Sequence, residues 1–358
     1  MTHDLKTFRT LPKVELHRHL EGSLRPETLW ELHQRQNQTL HSSLEALKAA
    51  WTIPHGQRPG FSNFLARFGA LSFRFGGLDA FERVAQEAVA DAADDGVVHL
   101  EISFNPVFAA RHMKPVPPGG WENAPSEPDS VVDEAAEAIV QGARNEAARR
   151  GIGIVFILVM PRDKGMDVCR STAALFKRPA GTHFGGLDLV GHEAIPAAPF
   201  REFFDEWRMT GRKIVVHAGE DPNGPGAANV REAVFDFRAH RVGHGIRATE
   251  DPALVEHLSR SDVSLDMCPT SNFQTLACRS LAEHPLKQLL EAGVRTTINT
   301  DDPAISMTTL SAEYLRAANE CGLNGEQIKR CAINAAKSAF LGEQEKNVLV
   351  NKLEAAWR

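Results

Sequence analysis

Cysteine is scarce and unpatterned in this chain. Its 358 residues include 5 cysteines, an odd number without Cys-x-x-Cys spacing. That argues against a disulfide framework and predicts a reduced, cytoplasmic protein. Long apolar runs are missing as well. The most apolar stretch, Ile152 to Met160, is far too short to span a bilayer. The first residues, Met1 to Lys6, lack the apolar core of a secretory signal, so none is expected. Positive charge is not in excess: the formal net charge is -6, which argues against a nucleic-acid binder. No Gly-x-Gly-x-x-Gly follows the first predicted strand, and no Gly-Lys-Ser/Thr phosphate loop is present, so neither nucleotide-binding motif has support. Internal repeats and dividing linkers are absent too. With 42% hydrophobic and 24% charged residues, the chain is expected to be globular, with a sizeable core and a single domain over 1–358. Nothing in it specifies an oligomeric state.

Histidine, by contrast, is plentiful, with 15 residues, and its placement matters more than its number. Short apolar segments alternate with helical ones. The predicted strands are Val14–Leu20, Gly96–Phe104, Gly153–Met160, Gly186–Gly191, Lys213–His217, Arg241–His244, Val263–Met267 and Val294–Asn299. Helices are predicted between them, including Glu27–Gln36, Leu78–Ala93 and Val131–Arg150, the last stopped by Gly151. Asn105–Asp129, rich in proline and glycine, reads as a loop, and Gly325–Trp357 reads as helical to the end. Eight strands at this spacing predict an α/β fold, a (β/α)8 TIM barrel with a helical insertion after strand 1 and extra C-terminal helices. An open doubly wound sheet is the second choice.

A barrel concentrates chemistry at the C-terminal ends of its strands. Strand 1 ends in His17 and His19, which lie on one face because strand side chains alternate. Strand 4 is followed by His192 and Glu193, strand 5 ends in His217 with Glu220 beyond, strand 6 ends in His244, and strand 8 leads to Asp301 and Asp302. Any one of these has a bland reading as a core histidine or a helix cap. Together, at successive strand ends, they suggest a site. His17, His19, His217 and Asp301 make three nitrogen donors and one oxygen donor, suited to one Zn²⁺ with room for water, although Fe²⁺ or another divalent ion would use similar donors. Asp301 would accept a proton from that water, His244 would orient the resulting hydroxide, and Glu220 would act as a general acid. His192-Glu193 fails as an His-Glu-x-x-His motif because residue 196 is proline. No lysine ends strand 4, so a bridged two-metal site lacks its donor.

The segments carrying these residues are Lys13–Ser23, Asp188–Glu193, His217–Glu220, Arg241–Gly245, Cys268–Asn272 and Asn299–Pro303. In content and order the chain resembles the adenosine deaminase family of the metal-dependent amidohydrolases. The resemblance implies hydrolytic deamination of an aminopurine nucleoside, adenosine or deoxyadenosine, with one Zn²⁺ per chain. It also implies that Glu220 donates to purine N1, that Gly191 offers its backbone N–H to N3, and that Asp302 meets N7. His19 and Glu21 would contact the substrate too. The partner would be a small aminopurine, with neither nucleic acid nor membrane involved. One departure bears on specificity. Glu21 stands where many adenosine deaminases have aspartate near the ribose 5′-hydroxyl, and it looks more like relatives acting on adenine or on 6-amino-6-deoxyfutalosine. Phe61 to Phe68, in contrast, looks like the helical cap of the nucleoside enzymes. Leu276 replaces a common glycine, and His192 replaces a frequent acidic residue.

Overall fold

The computed structural model describes residues 4–38, 40–114 and 127–357. Eight strands form one sheet: β1 (Lys13–His19), β2 (Val97–Phe104), β3 (Gly153–Pro161), β4 (Phe184–Val190), β5 (Lys213–Ala218), β6 (Arg241–His244), β7 (Ser264–Met267) and β8 (Arg295–Ile298). They pair in sequence order, all parallel. β3 and the centre of β5 are continuous apolar runs, as expected for strands covered on both faces, whereas the other strands carry buried polar residues.

Closure between β8 and β1 uses few ladder bonds. His19 N–H donates to the Asp301 carbonyl and Asp301 N–H to the His17 carbonyl, both at 3.0 Å. Side chains complete the seam. Asn299 Oδ1 accepts from Leu16 N–H at 2.9 Å, and the Glu15 carboxylate accepts from Thr300 N–H at 3.2 Å and from the Thr300 hydroxyl. Three of the four candidate metal ligands therefore sit on the seam that closes the barrel, so closure itself sets His17 and His19 beside Asp301. The open doubly wound alternative is overturned.

Helices fill the intervals as the periodicity predicts. The long helix Asp129–Arg150 ends at Gly151, whose left-handed backbone (φ 68°) suits glycine. The helical insertion after β1 comprises Pro26–Arg35, Leu44–Trp51 and Phe61–Leu65. Two expectations are corrected. The predicted loop Asn105–Asp129 begins with a helix, Pro106–His112, because Asn105 caps it through Val107 N–H (2.8 Å) and proline suits the first helical position. The rest of that prediction, including Pro115–Gly120, falls largely outside the described residues. The terminal helix is also two helices, Gly325–Ser338 and Glu343–Ala356. The break has a tertiary cause: Phe340 N–H donates at 2.5 Å to the buried Glu101 carboxylate of β2, and Gly342 N–H donates at 3.1 Å to Glu345. A helix Leu5–Thr10, capped by Asp4, precedes β1.

Candidate metal centre and acid–base pair

The strand ends converge as the barrel geometry requires. The ligating atoms of His17, His19, His217 and Asp301 all lie within 4.8 Å of one another. Asp301 Oδ1 is 3.2 Å from His17 Nε2 and 3.4 Å from His19 Nε2, and His19 Nε2 is 3.3 Å from His217 Nε2. His17 Nε2 is buried without a hydrogen-bond partner. A buried imidazole nitrogen left unpaired calls for an explanation. Lone pairs from three imidazoles and a carboxylate converging on one point supply it, since that donor set fits a divalent cation such as Zn²⁺.

Neighbouring groups aim these ligands. Asp188 in β4 lies 3.0 Å from His217 Nδ1. With the proton held there, Nε2 keeps its lone pair for the centre, which is the usual way a carboxylate orients a metal-binding histidine. Gly243 leaves room for the rings: a Cβ on it would lie 2.9 Å from His17 Cε1 and 3.0 Å from His217 Nδ1. Gly22 does the same for Asp302, whose Oδ1 a Cβ would meet at 1.7 Å.

Gly243 faces the barrel interior, so strict alternation would turn His244 outwards. Instead its backbone is left-handed, with φ of 60°, and its ring joins the centre, with centroids 5.0 Å from His17 and 5.2 Å from His217. Asp301 is also left-handed, at φ 66°. Of the six described non-glycine residues with positive φ, these two lie at the site, where such backbone strain has a use.

His244 Nε2 is 3.1 Å from Glu220 Oε2. Burial, followed by the nearby Asp301 and Glu193 carboxylates, pushes the Glu220 carboxyl well above the usual range, favouring the protonated acid. Burial likewise holds His244 well below the usual imidazole range, hence neutral. Asp301 goes the other way: against the effect of burial, the imidazoles of His17 and His19 hold it well below the usual carboxylate range.

The remaining sequence-predicted residues sit just beyond neighbouring strand ends. Asp302 is buried and its Oδ1 has no partner. Glu21 Oε1 accepts from Asn105 N–H at 3.1 Å, and burial raises its carboxyl. Gly191, at the end of β4, has φ of 97°. His192 points elsewhere, edge-on to Phe61 with centroids 5.2 Å apart.

Sequence reasoning missed two supports. Glu193, read only as half of a failed motif, accepts from the backbone N–H groups of Gly219, Glu220 and Asp221 at 2.7, 2.7 and 2.9 Å. It therefore holds the loop that carries Glu220. Asp188 is the other support, and its signal in the sequence is a lone acid inside an apolar strand. Arg241, in the same segment as His244, lies outside the centre. Its side chain, 1% exposed, pairs with Glu101 (2.7 Å) and Asp266 (2.9 Å) and lies over the Phe340 ring at 3.8 Å.

Known proteins share this framework. The chain is 37% identical over 352 residues to an adenosine deaminase of Klebsiella pneumoniae (strain 342), covering 96% of this chain and 98% of that protein. Among solved structures it resembles an amidohydrolase from Burkhoderia ambifaria with bound Zn (TM-score 0.84, 26% identity, 100% of this chain and 92% of that one). The fold is also that of an adenine deaminase from Arthrobacter aurescens (TM-score 0.83, 24% identity, 97% and 99%). A family model described as adenosine deaminase matches residues 12–356. A barrel with this order of strand-end residues, matched over nearly its whole length, is therefore a hydrolytic deaminase, and the chain belongs to the adenosine deaminase family.

Proposed function

We propose that the chain is a zinc-dependent aminohydrolase acting on adenosine or deoxyadenosine, giving inosine or deoxyinosine and ammonia. The observation that carries this reading is the placement of a protonatable acid, Glu220, against His244 beside a centre of three imidazoles and one carboxylate. Water adds at C6 of the purine, the bond from C6 to the exocyclic nitrogen breaks, and ammonia leaves. Zn²⁺, held by His17, His19, His217 and Asp301, would lower the pKa of a bound water to roughly 7 and so provide a nucleophile at neutral pH.

This chain's residues do the rest. Glu220 gives a proton to N1, which makes C6 electrophilic. Asp301 accepts a proton from the attacking water. His244 fixes that water's oxygen and offsets its developing charge. Gly191 N–H and Asp302 meet N3 and N7, and His19 and Glu21 border the remaining substrate. The 37% identity to a protein named adenosine deaminase supports a nucleoside substrate.

Glu21 favours a second reading in which the same chemistry acts on adenine or aminodeoxyfutalosine. One methylene longer than aspartate, it would crowd a ribose hydroxyl or reach a different group. The deciding experiment is ammonia release from purified protein with adenosine, adenine and aminodeoxyfutalosine side by side, with metal content determined on the same sample. Preference for adenosine is expected. Preference for another compound would move the substrate and keep the mechanism, and silence on all three from zinc-loaded protein would sink the deaminase reading as stated. We further propose that the chain works in the cytoplasm as a single domain, with no nucleic-acid or membrane partner; no described helix is long and apolar enough to cross a membrane.

A further inference from the structure

The segment Cys268–Asn272 has a place in the sequence pattern but no role in the reaction above. It follows β7 and opens a short helix, Pro269–Gln274. Asn272 is fully buried there and touches three groups. Its Oδ1 lies 3.3 Å from Cys268 N and 3.1 Å from His284 Nε2, and its Nδ2 lies 3.0 Å from His244 Nδ1.

The hydrogens follow from which groups can only donate. An amide's oxygen and nitrogen are told apart by their partners. Cys268 N–H is a backbone donor, so the atom facing it is the oxygen. On the far side, Leu286 N–H donates to His284 Nδ1 at 3.2 Å. The other nitrogen of a neutral His284 then carries the hydrogen and donates to the same Oδ1. With its oxygen occupied by two donors, Asn272 presents N–H to His244, and His244 Nδ1 must accept. The hydrogen of the neutral His244 ring is therefore on Nε2, aimed at Glu220 Oε2, 3.1 Å away.

We propose that Asn272, held by His284, is a positioning residue that fixes His244 in the tautomer protonated at Nε2. The inference rests on His244 facing the attacking water. In the opposite tautomer an Nε2 lone pair would accept from the Glu220 acid or from the water, competing with the purine for the first proton and with Asp301 for the second. With the hydrogen on Nε2, His244 has no lone pair there to take the water's proton, which leaves Asp301 as the proton acceptor. It also occupies Oε2 of Glu220 and leaves Oε1 free to carry the proton for the purine ring. The relay supplies an anchor that the strand does not, because the left-handed backbone of His244 removes the ring from the alternation that aims other strand residues.

Asn272→Asp tests this with almost no change of shape. The carboxylate still accepts from Cys268 and His284 but gives His244 an acceptor in place of a donor, drawing the hydrogen to Nδ1. In the zinc-loaded protein, ¹⁵N spectra of the His244 ring, assigned with a His244→Gln control, should change from the Nε2-protonated pattern to one protonated at Nδ1. Turnover should fall roughly 10²–10⁴-fold, the range for a misaligned acid–base group. KM should stay within about threefold, since ground-state binding is untouched. An unchanged His244 spectrum with kcat within about threefold of the parent would overturn the proposal.

If Asn272→Asp does not fold, His284→Gln and His284→Leu decide. Glutamine keeps an N–H donor for Asn272 and should retain clearly more turnover than leucine, and equal turnover in the two variants would overturn the relay. The ring spectrum needs no substrate. A protein silent on every aminopurine whose His244 still changes pattern in Asn272→Asp would keep the relay while removing the deaminase reading.

Discussion

Two buried polar clusters share strand β6 and behave in opposite ways. At its start, Arg241 meets Glu101 and Asp266, donates to the Leu16 carbonyl at 3.0 Å, and is covered by Phe340. Among these groups every Arg241 nitrogen meets an acceptor. Three residues later, His244 enters a cluster in which His17 Nε2 and Asp302 Oδ1 are left without hydrogen bonds and two backbones are left-handed. Burial is equal in the two places; satisfaction is not. The first cluster ties β2, β6 and β7 to the break between the last two helices. The second retains unused valences and strain, the condition of groups kept for a metal and a substrate.

That contrast can be broken most sharply at the second cluster. His217→Ala should lose both bound metal and nearly all turnover; full metal with near-normal activity, measured by elemental analysis and ammonia release, would contradict the ligand set. Glu220→Gln should keep its metal and its thermal midpoint while kcat falls roughly 10²–10⁴-fold. At the first cluster the balance reverses. Arg241→Met leaves two buried carboxylates without their partner and should cost about 3–5 kcal/mol in denaturant unfolding. A loss of activity with unchanged stability would mean that Arg241 belongs to the catalytic cluster after all.

Smaller effects sharpen the boundary between the two. Asp188→Asn keeps the shape but weakens the hold on His217, and should lower metal affinity about 10–100-fold in a competition titration. Near-parent affinity would make the contact incidental. His284 also carries a pH-dependent share of the stability. Burial pushes its imidazole down to about 3. The folded value lies below the unfolded one, so the unfolded state binds the extra proton first. The contribution is complete above about pH 6.5 and is lost as pH falls from there towards 3, with a slope approaching about 1.4 kcal/mol per pH unit. His284→Gln should flatten the fall of unfolding free energy between pH 6.5 and 4; an unaltered slope would place the titration elsewhere.

Much of this was legible locally. His17 and His19 share a face because a strand alternates, and their separation from His217, His244 and Asp301 in sequence is cancelled by any closed barrel. The helix Asp129–Arg150 and its glycine stop follow from periodicity and a left-handed cap. The start of Pro106–His112 was legible too, in Asn105 followed by proline, but the proline- and glycine-rich stretch beyond it pointed to a loop. Other features had no local signal. Between the last two helices Gly342 is the one local sign of a break, and the acceptor met by Phe340 N–H is Glu101, far away on β2. Glu193 looks like half of a failed zinc motif until the β5 loop folds over it.

The sequence by itself determined the eight-strand alternation, the chemical types at the strand ends, and hence a barrel with a metal-binding, acid–base site. Those properties depend on side-chain periodicity and donor chemistry, which neighbouring residues settle. Tertiary structure alone decided which carboxylates serve the centre and which support it, that Arg241 is structural, that His244 turns inwards, and that Asn272 and His284 set its hydrogen. Each of these depends on which donor meets which acceptor across segments distant in sequence, and that matching exists only once β8 has closed against β1.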